Sequence, residues 1–579
     1  MNYKKRMSLF GLSIFVIVLV SFVSNMAYND WGLPGLWHPD EVTKISAKLY
    51  YDNTLNPHFF AYPSLQIYLI YLLVILPYSL INTSFANTIA SIDPTNVSAA
   101  LLYISSEVTL YARMITALMG ALCVYFTYRS AELIYGRVPA LIAAFLLATS
   151  AGFVGLSHFA SVDIPLTFWM VFCFFFIISA FKSDEAKNYY LAAILLGLAT
   201  STKYTGILLL PTLLLSYLID SGHVTVRFSN LRYKIFGKTI IGIGAAVALG
   251  FFIGTPFAVL SPLEFLREFI KLLFYQPAYG GLGQKSYIPH LYNLINYFGL
   301  FNFLICSFGF FWGCVTLLRK KQAGEFFLIL TIVIYYIKMG DMTFHPPRYI
   351  IPILPFLTIL GGKLCFDLLH LTSRSKLLNW GWITAFALGG IFSLYYTTMG
   401  VMSLANDDRK LAYEWVNSNM SPNDSVEVSA YYSINIPPGY NGFSKLPYYH
   451  IKPTFIRMRE NELYRRLREV YIKLDRPGAV EGKSVTEEVV VEPTTASLRS
   501  LLIRKPRYII LSKSDYQRFL GGDEAEHLFP LQHELYSSII AGMTPYELLV
   551  DFERTDRWPR PNIEFVNAGI KIYEYRHEP

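Results

Sequence analysis

The stretch Leu65-Gln66-Ile67-Tyr68-Leu69-Ile70-Tyr71-Leu72-Leu73-Val74-Ile75-Leu76-Pro77-Tyr78-Ser79-Leu80-Ile81 decides the fold, because its crossing or not crossing a membrane sets the side of everything after it. At 17 residues it sits at the lower limit for a span, and Pro77 interrupts it. Upstream, Lys4, Lys5 and Arg6 precede the apolar run Leu9 to Ala27, which places the N-terminus inside by the positive-inside rule. That run lacks a small-residue cleavage pattern and reads as an anchor. If Leu65–Ile81 stays on the outer side, the later basic clusters all fall inside. These are Arg129 with Arg137, Lys182 with Lys187, Arg227 with Arg232 and Lys234, Arg319-Lys320-Lys321, and Arg374 with Lys376. If it crosses, all of them fall outside, against the rule. The segment therefore reads as a helix in the outer interface or one that re-enters the membrane.

The remaining apolar runs predict spans at about 8–27, 108–133, 138–157, 164–181, 189–201, 204–220, 238–258, 291–317, 326–339, 349–371 and 378–400. The expected fold is a polytopic α-helical membrane protein with about eleven crossings and in-plane helices in its first outer loop. The expected division is a transmembrane domain over 1–400 and an extracytoplasmic soluble α/β domain over 401–579. Composition agrees: 53% of the 579 residues are hydrophobic and only 16% charged, against roughly 25% charged in soluble domains. The net charge of +8 mostly reflects topology, so it implies no nucleic-acid partner. Cys123, Cys173, Cys306, Cys314 and Cys365 all lie in apolar runs and read as buried thiols without disulfides or a cysteine metal site.

The tail alternates helical and strand signals. Arg409 to Asn419 reads as an amphipathic helix; Ser425 to Tyr432, Arg507 to Ser512 and Ile570 to Tyr575 read as strands, and 483–495 as a hairpin or loop. No internal repeat or phosphate-cradling glycine motif is present. In the second long outer loop, Tyr279-Gly280-Gly281-Leu282-Gly283-Gln284 reads as a flexible loop, with a mobile lid as the alternative.

Charged residues gather on the outer face. Asp40 and Glu41 stand in Leu36-Trp37-His38-Pro39-Asp40-Glu41, Asp163 opens a span, Lys203 separates two short apolar helices, and His345 and Arg348 precede another span. Arg113 lies near the start of the second span. Each charge at membrane depth costs roughly 2.5 to 3.5 kcal/mol on insertion scales, so such residues are seldom idle. Plainer roles compete: a helix cap for Asp163, snorkelling for Lys203 and Arg348, a structural ion pair for Arg113. The chemistry that fits is group transfer from a lipid-borne phosphosugar. Lys203 and Arg348 would neutralise the phosphate, and a carboxylate would take the proton of the incoming hydroxyl.

Several stretches, in order, resemble the integral-membrane GT-C glycosyltransferases of the protein O-mannosyltransferase and aminoarabinose-transferase group. They are Asp40-Glu41, Phe59-Phe60-Ala61-Tyr62-Pro63-Ser64-Leu65, Arg113, Ala160 to Leu166, Gly197 to Gly206, and Arg348-Tyr349-Ile350-Ile351-Pro352. The resemblance implies a polyprenyl-phosphate sugar donor, an acceptor outside the membrane, and a bilayer-embedded GT-C fold. It implies Asp40 as catalytic base, Asp163 as second acidic site, and Lys203 and Arg348 at the donor phosphate. We add Glu41 to the catalytic set, Arg113 to the phosphate set, and His38, Tyr62, Tyr204 and His345 to the substrate pocket. Asp40, Glu41 and His345 could also hold a divalent metal ion. The family often has Pro-Pro-Leu where this chain has Pro63-Ser64-Leu65, and Tyr62 replaces a lysine found in some members. An oligosaccharyltransferase and a lipid-sugar flippase are the competing readings; the Trp-Trp-Asp motif of the former is missing, and no transporter-like repeat is visible.

Overall fold

The computed structural model describes residues 3–219, 237–279, 286–342, 345–429, 443–445, 497–521, 526, 529–553 and 560–576. The glycine-rich 280–285 and the segment 483–495 lie outside the described residues, as does the basic cluster of Arg227, Arg232 and Lys234.

Among the described residues seven helices are long and apolar enough to cross a membrane, and Arg137–Ala148, Tyr204–Leu218 and Lys238–Gly254 are shorter apolar helices. At the centre lies Asp163–Ser183, apolar all round and largely buried, as a helix with no polar face must be. Val97–Tyr135 begins about three turns before the predicted span at 108–133. Asn96 caps it, its side chain accepting from the Ala99 N–H, and Ser105 and Thr109 return their hydroxyls to the helix's own carbonyls. Gly136, at φ 87°, then allows the tight reversal into Arg137–Ala148. The predicted span over 138–157 is broken at Thr149-Ser150, where the chain restarts as Ala151–Leu156.

Two of the short helices approach backbone to backbone. A Cβ on Gly197 would lie 2.3 Å from the Val247 carbonyl oxygen, and one on Gly250 2.2 Å from that of Ile194. Ala186–Thr202 and Lys238–Gly254 are thus joined by the small-residue contact that suits helices in lipid, where packing replaces the hydrophobic drive.

Leu65–Ile81 is one apolar helix with a π-turn at Tyr71–Ile75, just ahead of Pro77. Proline lacks an N–H and crowds the preceding turn, and a π-turn absorbs such a defect. The helix ends at Asn82, whose side chain caps the next helix, Thr83–Ser91, bent by 92°. Leu65–Ile81 and Thr83–Ser91 are apolar enough to span only as a bent pair, which is the shape of a broken span or of a segment that enters and turns back.

After Lys376–Ala405 comes the tail domain. Its sheet contains β1 (Val426–Val428), β2 (Phe443–Lys445), β3 (Tyr508–Ser512), β4 (Tyr546–Asp551) and β5 (Ile570–Tyr575), in the order β2-β1-β3-β5-β4. β1 runs parallel to β2 and β3, while β5 is antiparallel to β3 and β4. β3 is buried throughout, between the clusters of Leu501, Leu535 and Tyr536 on one face and Ala412, Val416 and Ile570 on the other. The five cysteines are free, and all but Cys314 are buried.

Candidate active site

The charged residues singled out in the sequence divide into two groups. Asp163 is the first residue of its helix, where a carboxylate is favoured by the exposed N–H groups. Lys203 follows directly on Ala186–Thr202 in extended conformation (φ −152°, ψ 134°), before the turn Tyr204–Leu209. Its ammonium donates to Asp163 Oδ1 at 2.7 Å and lies 4.4 Å from the centre of the Tyr349 ring. Arg348 is held in the tight turn Pro347–Ile353 opened by Pro346-Pro347. Its Nη2 is 2.9 Å from Asp40 Oδ2, and its Nε is 4.0 Å from Asp163 Oδ2. No donor is aligned along the lone pairs of Asp40 Oδ2, so this buried oxygen retains acceptor capacity beside a cation. Asp40, Asp163, Lys203 and Arg348 thus form one acid–base cluster.

Glu41 and Arg113 form the second group. Arg113 Nε and Nη2 donate to the two oxygens of Glu41 at 2.7 and 3.0 Å, and Nη1 donates to the carbonyls of Asn29 and Trp31. Glu41 Oε1 also accepts from the Ala160 N–H at 2.9 Å. Arg113 is fully buried. A guanidinium occupied in this way has no face left for a phosphate, and a carboxylate held in its fork is a poor base. The adjacent carboxylates therefore separate: Asp40 faces the cluster, while Glu41 pins its loop to the second span and to the turn before Asp163.

His38 packs its ring 4.3 Å from that of Phe159 and 4.5 Å from that of Phe565, and its Nδ1 accepts from the Asp40 N–H at 3.2 Å. Burial first, then the charges of Arg348, Arg113 and Arg409, hold its pKa well below the usual range. A neutral ring is what an Nδ1 acceptor requires. Burial and the charges of Asp40 and Asp163 push the Tyr62 phenol well above its ordinary value, with Arg348 opposing, which puts Tyr62 at the cluster's edge as a protonated hydroxyl. Tyr204 turns away, donating to the Phe60 carbonyl at 2.9 Å and packing on Phe269. His345 pairs with His290, ring centres 5.1 Å apart. The expected metal set fails on this geometry. Glu41 is committed to Arg113, His345 stands with His290, and among the described residues no three acidic, histidine or cysteine side chains gather to hold an ion.

The sequence reading missed the tail's contribution. Glu564, in the loop after the fourth strand, takes the Arg348 backbone N–H at 3.0 Å on Oε2 and pairs through Oε1 with Arg348 Nη1. Burial, with repulsion from Asp40 and Asp163, raises the pKa of Glu564, and Arg348 opposes the rise. Its neighbour Phe565 lies 5.2 Å from the Arg348 guanidinium. Below this, Arg409 sits between the Trp31 and Trp37 rings at 4.9 and 4.8 Å, and Nε and Nη2 bind the two Asp407 oxygens, each at 2.9 Å. Asp407 also accepts from the Trp31 indole N–H and from the Asn567 N–H. The Asn406-Asp407-Asp408-Arg409 run directly after the last span was the one sequence signal for this joint; Pro561–Asn567 has no pattern that marks it.

A family model described as dolichyl-phosphate-mannose-protein mannosyltransferase matches residues 96–253. No curated protein matches the chain in sequence. Among solved structures, the archaeal oligosaccharyltransferase AglB from Archaeoglobus fulgidus, in complex with an inhibitory peptide and a dolichol-phosphate, aligns at TM-score 0.50 and 13% identity over 99% of this chain and 89% of its own. Its apo form aligns at TM-score 0.50 and 14% identity over 98% and 88%. ArnT from Cupriavidus metallidurans, bound to undecaprenyl phosphate, aligns at TM-score 0.46 and 14% identity over 90% and 95%. Residues 96–253 thus match a mannosyltransferase family model, and the chain as a whole shares the membrane-protein fold of AglB, which supports a GT-C membrane glycosyltransferase.

Proposed function

We propose that the chain transfers a sugar from a polyprenyl-phosphate donor to a hydroxyl-bearing acceptor on the extracytoplasmic face, with inversion at the anomeric carbon. The observation that carries this is the Asp40 oxygen with free acceptor capacity, set beside Arg348 and the Lys203–Asp163 pair. Asp40 accepts the proton as the acceptor oxygen bonds to the anomeric carbon, and the bond from that carbon to the phosphate oxygen breaks. The phosphate leaves on its lipid carrying the electron pair, and Lys203 and Arg348 bind it there, where fixed cations stabilise the developing charge. Asp163 orients Lys203, and His38 holds the Asp40 backbone. Glu41 and Arg113 are positioning residues for the same loop. The family description names a dolichyl-phosphate mannose donor and the AglB structure contains a dolichol-phosphate; both support a lipid-phosphate donor.

The test is transfer from a panel of polyprenyl-phosphate sugars by the purified chain and by Asp40→Asn. Loss of a general base lowers turnover by roughly 10²–10⁴-fold, with lipid-phosphate binding retained. Undiminished turnover in Asp40→Asn would remove Asp40 from the mechanism.

A further inference from the structure

The cluster has one more anion than it has cations. Asp40, Asp163 and Glu564 face Lys203 and Arg348, and the Arg348 fork is already filled, with Nη1 on Glu564 and Nη2 against Asp40. Asp40 must stay to act as base, and Asp163 holds Lys203. Glu564 alone belongs to the tail domain and does no chemistry in the transfer. An incoming phosphate would add negative charge to a site already in excess, in surroundings where like charges repel strongly.

We propose that Glu564 is an internal stand-in for the donor phosphate: it occupies the Nη1 edge of Arg348 in the donor-free protein and gives up that edge when a lipid phosphate binds. This rests on the reading above that Arg348 binds the donor phosphate. The loop around Glu564 is built for a side chain to move while the backbone stays. Asn562 is tied on one side, its N–H donating to Asn296 Oδ1 at 2.8 Å and its carbonyl accepting from Asn296 Nδ2 at 2.7 Å. On the other side the Phe565 carbonyl accepts from Arg409, and the Asn567 N–H donates to Asp407 at 2.9 Å. Between these anchors only the carboxylate need withdraw. The carboxylate that fills the fork in the empty site also keeps Arg348 aimed before the donor arrives, and lowers donor affinity by the energy of the contact it must surrender.

The experiment measures binding of undecaprenyl phosphate, without sugar, to the full chain in detergent, comparing wild type, Glu564→Gln and Arg348→Ala. Glutamine keeps an oxygen for the Arg348 N–H and removes the charge. Competition predicts that Glu564→Gln binds the lipid phosphate about tenfold more tightly, within the range of typical couplings between two ligands of one site, while Arg348→Ala binds more weakly. A purely structural Glu564 would give the opposite sign, since a loosened Arg348 binds worse. If Arg348→Ala weakens binding and Glu564→Gln leaves it unchanged or weaker, the stand-in role is overturned and the donor site stands. If Arg348→Ala binds as wild type does, the donor-site assignment of Arg348 falls, and the stand-in role with it. Thermal unfolding of Glu564→Gln checks that the tail remains docked, and Glu564→Asp, which keeps the charge, should bind within a few-fold of wild type.

Discussion

At the scale of single residues, two adjacent carboxylates meet opposite fates within one turn of chain. Glu41 is closed in by Arg113 and the Ala160 N–H, while Asp40 keeps a lone pair open beside Arg348. Breaking a buried, bidentate ion pair by removing one partner costs about 3–5 kcal/mol, because the other charge is left stranded. Glu41→Gln should therefore lower the thermal unfolding midpoint sharply, while the protein that remains folded still turns over. Asp40→Asn should do the reverse, sparing the midpoint and removing transfer; unfolding curves and initial rates on the same preparations separate the two. The sequence singled out charged residues that the structure brings together, and not which partner each one takes. Asp40, Asp163, Lys203 and Arg348 were legible because charges near apolar runs are costly. Asp40 and Glu41 were indistinguishable because the partners that separate them lie 72 and 119 residues downstream of Glu41. Glu564 was not legible at all, since a carboxylate in a soluble tail is ordinary until it meets an arginine.

At the scale of elements, the Gly197–Gly250 contact fixes the distance between two helices, and so fixes where Lys203 emerges. Gly250→Ala forces a Cβ into the Ile194 carbonyl at 2.2 Å, a clash with backbone that no rotamer relieves. Overpacking of this kind costs about 1–3 kcal/mol. It should also draw Lys203 from Asp163, so both the unfolding midpoint and turnover should fall; Gly244→Ala on the same helix, where a Cβ meets nothing, should change neither. Helix existence followed from apolar length. The ends did not: Val97–Tyr135 starts well before the predicted span, at a turn capped by the Asn96 side chain, which period and hydropathy do not register. The sequence signals for Leu65–Ile81 were its length and Pro77, whereas the 92° turn depends on Asn82 capping the helix that follows.

At the scale of the whole molecule, the tail is fastened to the first loop through Asp407 and Arg409. Burial alone would raise the Asp407 pKa, but the Arg409 guanidinium, with the Asn567 N–H, outweighs it and holds the carboxyl below its ordinary 3.8. The group takes up a proton more readily unfolded than folded, so its stabilisation is present above pH 3.8 and is lost as pH falls through the folded value. Wild type should therefore lose stability on acidification more steeply than Asp407→Asn, which begins lower and changes less; unfolding midpoints from about pH 5 down to about pH 2 at constant ionic strength measure this. The same variant should loosen the tail and reduce transfer, since Phe565 and Glu564 ride on the loop that Asp407 anchors. The long apolar runs end near residue 400 in the sequence, whereas the joint with the tail required knowing that Trp31 and Trp37 enclose an arginine from beyond that point.

That enclosure also orders events in time. Trp31 leaves the ribosome 376 residues before the carboxylate that its indole grips, a gap of roughly 20 to 75 seconds at ~5–20 residues per second. During that interval the loop bearing Asp40 waits, without its lock, beside a bundle still being threaded into lipid. The loop bearing Asp40 is therefore locked only after Asp407 and Arg409 have been made.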